Sequence, residues 1–407
     1  MIFRSAVLAD IFALEISEDG SSLMELGRCP YGDTDNDVVW PYNPGIATTP
    51  LSQQELNDML AIVVTPDEPP YQGMVFTMSN EDNNAMAASN DEKTKEETRP
   101  ALYNFAAATA RGIGQVIFLG SPISGVLILV GLVIGDPYLA SMAALGTATA
   151  TGTANIAGLT TADGVLGYNG CFIGCAAAVF GPSAILACVM STVVGAAVSP
   201  FVALSLKQAM GSVPQWTFAF NFVALTSLLL RTRPFSPVEG TAAEPAADIQ
   251  TYSTIDLLLS PMTGISQIFV VESAWSGGII AGGIAMYSPG LAAHAVVGST
   301  IGAAVGAMMG VDTSELTIGL WGFNSALTSV AVGVFFVHSG RTAVLSAGGA
   351  AATAAVFGAM KTVFGAFGVP CLTLPFCVTM SACYLLRDSV PGLTLASSPH
   401  SPEKNTI

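Results

Sequence analysis

Apolar residues dominate two long blocks of the chain, which lie on either side of a short polar segment. In the first block the longest apolar runs are at residues 116–134, 138–158, 171–180, 184–206 and 216–230. About 20 apolar residues in a helix are enough to cross the hydrocarbon core of a bilayer. The second block has the same character. The pattern therefore predicts an all-α integral membrane protein that crosses the bilayer several times.

Polar stretches divide the chain into five predicted segments. Residues 1–100 hold 18 of the 29 acidic residues but only 5 of the 13 basic ones, so most of the net charge of -16 belongs there. We expect this segment to be an acidic, partly disordered cytoplasmic extension, with a short helix at 53–64. The predicted extension, first transmembrane repeat, linker, second repeat and C-terminal tail are 1–100, 101–235, 236–254, 255–390 and 391–407.

Composition excludes several classes of protein. Only 10% of the residues are charged, against roughly 25% in soluble domains. Too few basic residues are present for nucleic-acid binding. Six of the seven cysteines lie in apolar runs, where small core side chains are expected, and no spacing indicates a metal or a cofactor. Since no catalytic constellation is found either, we do not expect an enzyme.

The two apolar blocks repeat the same motifs in the same order. Gly131, Pro137 and Gly146 recur 152 residues later as Gly283, Pro289 and Gly298. Further matched segments are 111–118 with 263–270, 167–169 with 322–324, and 213–220 with 369–376. Internal repeats in a polytopic membrane protein indicate a transport pathway at their interface. A repeat with an odd number of helices, here about five, would insert the second copy upside down.

Two polar pairs stand out within this repeat. Gln115 and Gln267 lie near the start of apolar segments, where an amide offers a donor and an acceptor without charge. Thr217 and Thr373 follow Val-Pro in the two copies, and Pro favours a helix start. The Gln side chains either line a pathway or join two helices by a hydrogen bond. The Thr hydroxyls either face the pathway or bond to their own helix.

Several motifs resemble those of the urea transporters, over about residues 101–390. The matching segments are 112–118, 167–169, 273–278, 319–325 and 369–376. The resemblance implies two inverted five-helix repeats, each with a half-membrane pore helix. It also implies a homotrimer in which every protomer has its own pore and passes urea in single file without a coupling ion. Urea transporters differ from this chain at Ala219, where they usually have Pro, and at the turn after Phe118.

Urea is small, planar and uncharged, so a selective pore must return the hydrogen bonds that urea loses with its water. The resemblance places Gln115 and Gln267 at the two mouths and the two Thr hydroxyls at the midpoint. Tyr168 with Phe172, and Phe323 with Leu327, are spaced i, i+4 and share a helix face. With Phe118 they are candidates for a slot around the planar solute. Plain core packing is the alternative for each.

The sequence leaves other functions open. A passive urea channel in the plasma membrane is the first hypothesis, with urea and the lipid bilayer as partners. A transporter for another small amide, or for ammonia or water, on the same scaffold is the second. It is suggested by the departures at Val270, which takes the place corresponding to Phe118, and at Ala219. An ion-coupled urea transporter is the third, although charged residues within the spans would be expected of it.

Overall fold

The computed structural model describes residues 14–16, 23–25, 100–231 and 254–407. One compact unit, Met1–Gln72, contains two antiparallel strands, β1 at Leu14–Ile16 and β2 at Leu23–Glu25. The predicted helix at 53–64, nearly all of the acidic extension and the linker up to residue 253 lie outside the described residues.

The second unit, Gly73–Ile407, is helical over its described residues. Its first six helices, α1 to α6, are Ala101–Gln115, Pro122–Gly135, Pro137–Ile156, Tyr168–Phe180, Ile185–Met210 and Phe218–Leu229. The next seven, α7 to α13, are Thr254–Gln267, Ala274–Tyr287, Pro289–Met308, Thr313–Thr317, Phe323–Phe335, Gly340–Gly365 and Leu374–Leu385. A 3₁₀ turn at Leu386–Asp388 follows α13.

Apart from the five-residue α10, the helices of the two halves match in order and in length. The pairs α2/α8, α3/α9, α4/α11, α5/α12 and α6/α13 have 14, 20, 13, 26 and 12 residues in both members. The remaining pair, α1/α7, has 15 and 14 residues. Helix α1 does not stand out in the sequence because Asn104, Thr109 and Arg111 interrupt its apolar pattern.

Equivalent caps and equivalent close contacts hold the paired helices. The Ser121 side chain accepts a hydrogen bond from the backbone at the start of α2, and Ser273 does so at the start of α8. A Cβ on Gly125 would lie 1.8 Å from the carbonyl oxygen of Ala110. Gly277 has the same relation, at 1.8 Å, to an α7 carbonyl. Only glycine therefore permits α2 and α8 to pack so closely against the preceding helix.

The outer surface of the helical unit is apolar. Helices α5, α9 and α12 are long and apolar enough to cross a membrane, and only 28–33% of their most apolar windows is buried. Large apolar side chains such as Ile185 and Val344 are exposed on the long helices. The helices of 12 to 14 residues extend only about 20 Å at 1.5 Å per residue, less than the hydrocarbon thickness of about 30 Å. These properties are those of a helical membrane protein.

The C-terminal tail packs against the end of α11. The backbone N–H of Ala396 donates to the Phe335 carbonyl at 3.0 Å, and that of Val337 donates to the Thr394 carbonyl at 2.9 Å. The Asn405 amide donates to three carbonyls of the last turn of α11 and the residue that follows it. The tail therefore satisfies carbonyl groups that the helix end leaves without partners.

Candidate functional site

Among the described residues, four non-glycine residues with a left-handed backbone mark the site. Phe118 and Val270 have φ of 61° and 62°, in the turns after α1 and α7. Trp216 and Leu372 have φ of 47° and 52°, just before α6 and α13. Such conformations cost about 1–3 kcal/mol and concentrate at functional sites. Each strained residue of the first half has its counterpart in the second, so the strain follows the sequence repeat.

The two predicted Thr side chains meet where α6 and α13 begin. The hydroxyl oxygens of Thr217 and Thr373 lie 2.7 Å apart, and both residues are buried. Asn221, one turn further along α6, donates to the Thr373 hydroxyl at 2.8 Å. Cys377, at the corresponding place in α13, has its sulfur 3.0 Å from the Thr217 hydroxyl. These four side chains form a buried, uncharged group that we call the polar centre.

A cavity of about 310 Å³ opens beside the polar centre on the side formed by the second half. Its lining brings together four of the predicted residues, namely Gln267, Phe323 and Thr373 of that half and Phe172 of α4. Leu372 and Phe220 line it as well. The cavity is therefore bounded by one amide, one hydroxyl, the Lys361 side chain and an otherwise largely apolar and aromatic wall.

The corresponding region of the first half is filled by aromatic side chains. Trp216 is 3% exposed and meets Phe335 edge to face, with ring centroids 5.2 Å apart. Phe118 packs edge to face on the same Phe335 at 5.7 Å. Val270 and Leu372 occupy the equivalent positions of the second half. These smaller side chains explain why the second half has a cavity where the first has a packed cluster.

Phe118, Trp216 and the Phe335 ring that both contact form a group that we call the aromatic cluster. Tyr168 joins this cluster through its hydroxyl group. The hydroxyl donates to the carbonyl of Trp216 and accepts a hydrogen bond from the Gln215 amide. Gln215 also accepts from the backbone N–H of Ala219 at 3.3 Å. Phe323 replaces Tyr168 in the second half and has no hydroxyl for such bonds. The backbone before α6 is thus fixed by side chains that the turn before α13 lacks.

The two predicted Gln residues lie at the ends of α1 and α7 but have different surroundings. Gln115 donates from its amide to the Asp163 carbonyl at 3.0 Å, which leaves its own oxygen available as an acceptor. Gln267 is 5% exposed and borders the cavity. Both residues immediately precede the strained turns at Phe118 and Val270, so the turn geometry fixes where the amides lie.

The residues predicted for a slot lie in two different surroundings. Phe172 stacks on Phe220 with ring centroids 4.8 Å apart, too close for a molecule to lie between them. Phe323 meets Phe357 edge to face at 5.8 Å. Leu327 is fully buried in the core. Phe172 and Phe323 border the cavity, whereas Tyr168 and Phe118 belong to the aromatic cluster of the first half.

The charged groups nearest the cavity form an ion pair. Lys361 borders the cavity and bonds to Glu315, whose other oxygen accepts from the Trp321 indole N–H at 2.9 Å. Within residues 100–231 and 254–407, every buried polar side chain is uncharged. His294 lies 3.2 Å from the Ser329 hydroxyl and 3.1 Å from the Ser346 hydroxyl, as expected of a packing histidine.

Asn169 and Asn324 hold the starts of α6 and α13 in place. Asn169 accepts from the backbone N–H of Phe220 at 3.1 Å, and Asn324 accepts from that of Phe376 at 3.3 Å. Asn324 also donates to the Leu372 carbonyl at 3.1 Å. Both residues therefore bond to the backbone where a helix begins.

The sequence does not single out Asn221, Cys377, Gln215 or Trp216. Asn221 and Cys377 lie four residues after the predicted Thr residues, so the i, i+4 rule places them on the same helix face. That spacing is the signal that would have identified them. Trp216 and Gln215 lie within the repeated Val-Pro motif, but no pattern in the sequence indicates the positive φ that turns Trp216 into the core.

An apolar helical bundle with a buried, uncharged polar centre and an adjoining cavity defines a polytopic membrane protein. A family model described as Urea transporter matches residues 106–388. Urea transporter 1 of Ovis aries is 31% identical over 325 residues, which cover 76% of this chain and 84% of that protein. Urea transporter 1 of Mus musculus is 31% identical over 317 residues, covering 72% and 80%. The chain belongs to the urea transporter family.

Proposed function

We propose that this protein is a passive channel for urea, with one pathway in each protomer. The pathway runs from the cavity bounded by Gln267, past the polar centre, to Gln115 and the aromatic cluster of the first half. Family membership supports urea transport across membranes. The observation that carries the channel proposal is the 2.7 Å contact between the Thr217 and Thr373 hydroxyls, where the starts of α6 and α13 meet.

The chemistry along this path suits urea. Urea has four N–H donors and one carbonyl acceptor, so it needs acceptors in a row and a flat apolar wall. The Gln and Thr side chains supply acceptors without charge, which do not hold a solute so tightly that it cannot leave. Lys361, which borders the cavity, is paired with Glu315. Because the two hydroxyls touch, urea slides past the pair on one side and does not pass between them.

The proposed architecture is that of two inverted repeats. Helices α4 and α6 in the first repeat, and α11 and α13 in the second, act as half-membrane helices. Their 12 or 13 residues do not span the bilayer. The N-terminal ends of α6 and α13 meet at the polar centre, so both helix dipoles direct partial positive charge at the solute carbonyl. We propose that the protein is a homotrimer in the plasma membrane.

A flux measurement tests this function. The purified protein is reconstituted into liposomes, and urea entry is followed by light scattering with and without proton and sodium gradients. We expect saturation-free urea flux that is independent of both gradients. Uphill uptake driven by either gradient would contradict a channel and favour an ion-coupled transporter. Urea entry no faster than in empty liposomes would contradict urea as the solute.

The cavity of the second half favours one alternative, a channel that also conducts other small neutral solutes. Val270 and Leu372 leave a cavity of about 310 Å³, which also admits short amides, and water and ammonia are smaller still. Selection would then depend on the polar centre and the aromatic cluster alone. Flux of acetamide, ammonia and water in the same liposomes separates this alternative from urea selectivity, because a selective channel conducts urea faster than acetamide.

A further inference from the structure

Asn221 lies beside the hydroxyl pair, at the place in α6 that corresponds to Cys377 in α13. We propose that Asn221 is a positioning residue: it sets the direction of the hydrogen bonds between Thr217 and Thr373 and thereby keeps both hydroxyl oxygens available as acceptors for the solute. This inference rests on the proposed function, because it assigns the polar centre to the solute pathway.

Two backbone groups determine which way the Asn221 amide faces. The backbone N–H of Thr373 donates to Asn221 Oδ1 at 3.2 Å, and Asn221 Nδ2 donates to the Thr217 carbonyl at 2.8 Å. A backbone N–H can only donate and a carbonyl can only accept, so a flipped amide would lose both bonds. The amide orientation is therefore fixed by the helix starts of both halves.

The second N–H of this amide reaches the hydroxyl pair. Asn221 Nδ2 lies 2.8 Å from Thr373 Oγ1, which accepts this hydrogen bond. The Thr373 proton then points to Thr217 Oγ1 at 2.7 Å, and the Thr217 proton points to the Cys377 sulfur at 3.0 Å. This order gives both N–H groups of Asn221 and both Thr hydroxyls a partner, as buried polar groups require. In the reverse order, the described residues offer the Thr373 proton no acceptor.

The order of these bonds has a consequence for the solute. A hydroxyl oxygen has two acceptor sites, and each Thr oxygen accepts one short hydrogen bond within the chain from Asn221 to Cys377. Asn221 Nδ2 also lies 3.5 Å from Thr217 Oγ1, a distance too long for a hydrogen bond that would occupy the second site. Each therefore keeps one acceptor site for an N–H of urea. Cys377 cannot do the same for its own half, because a thiol is a weak donor and has no second polar group. The polar centre is thus directional although the surrounding fold is nearly symmetric.

An exchange of the two residues tests this role in the full-length protein. Asn221→Cys gives both halves the residue that the second half already accommodates. We expect urea flux in liposomes to fall about tenfold, as for the loss of one or two neutral hydrogen bonds. The ratio of urea flux to acetamide flux should fall as well, because acetamide has half as many N–H donors. A purely structural role would lower thermal stability and leave this ratio unchanged.

The double variant Asn221→Cys/Cys377→Asn restores an amide from the opposite helix. We expect it to regain most of the urea flux and the wild-type ratio. Equal flux and ratio in Asn221→Cys and wild type would overturn the inference, while the proposed function would stand. If Asn221→Cys does not fold, the double variant provides the test. A ratio of urea flux to acetamide flux below that of wild type, or failure of the double variant to fold, would overturn the proposal. Absent urea flux in wild type would instead refute the proposed function.

Discussion

Phe118 and Val270 share one unusual backbone conformation, with φ of 61° and 62°, although 152 residues separate them. A positive φ is a genuine outlier for a β-branched residue such as Val. Both turns follow a Gln and precede a closely packed helix, so the same geometry has been kept with different side chains. The phenyl ring fills the first half and the isopropyl group leaves the second half open.

We expect Val270→Phe to close much of the cavity and to slow urea flux by about tenfold, or about 1.4 kcal/mol in barrier height. The backbone tolerates the ring, because Phe118 has the same φ. Liposome flux measures the effect, and Val344→Phe is the matched control, since Val344 is 73% exposed on α12. Unchanged flux in Val270→Phe would mean that the cavity is not part of the path.

Removal of one hydroxyl from the polar centre should slow urea flux. Thr373→Val keeps the shape of the side chain but removes an acceptor that contributes about 1–2 kcal/mol, so we expect roughly five- to thirtyfold slower flux. Thr217→Val should act in the same direction. Thr192→Val is the control, because the Thr192 hydroxyl is buried on α5 without a partner in the described structure. Wild-type flux in both polar-centre variants would refute their role.

The sequence predicts the parts of this fold that depend on local pattern. Apolar runs indicate five helices of the first half, and the repeated Val-Pro-x-x-Thr segment identifies Thr217 and Thr373 as equivalent. The contact between Asn221 and Thr373 joins residues 152 positions apart, so no local pattern reveals it. The aromatic cluster around Trp216 depends on a positive φ that propensity does not predict.

The C-terminal tail illustrates the same limit. Its composition indicates a short polar segment and nothing more. Asn405 becomes part of the structure because its amide meets the carbonyls of Gly333 and Val334, about 70 residues earlier in the chain. The last carbonyl groups of a helix need hydrogen-bond donors from outside the helix. Which residue supplies those donors depends on tertiary contacts, which cannot be predicted from a single sequence.

Gln115→Leu and Gln267→Leu test whether the two Gln amides bind urea at the ends of the proposed pathway. Leu has nearly the volume of Gln but offers no acceptor, so urea would lose a hydrogen bond on entering either end of the path. We expect urea flux to fall about fivefold or more in each variant, with little change in water flux. Gln208→Leu, an exposed change in the last turn of α5, provides the control. If only Gln267→Leu slows urea, the Gln115 amide serves chiefly to hold the Asp163 carbonyl.

Acid should release the C-terminal tail from the helical unit. Burial by itself raises the pKa of the Glu403 carboxyl, but hydrogen bonds from the Ser288 hydroxyl and the Gly290 N–H outweigh it and lower the pKa to about 2. A carboxyl with a lowered pKa stabilises the folded form above its ordinary value of 4.5 and loses that contribution as pH falls toward the folded value. We therefore expect the tail to loosen between pH 4.5 and 2.

Hydrogen-exchange protection of the Val337 amide reports this release, because that N–H donates to the tail carbonyl of Thr394 at 2.9 Å. Protection should fall through this acidic window in wild type. In Glu403→Gln it should be lower at neutral pH and nearly constant on acidification, since the titrating group is gone. Lys404→Gln, next to Glu403 in the tail, keeps the carboxyl and should retain the wild-type profile. A pH-independent wild-type profile would show that the Glu403 contacts do not hold the tail against α11.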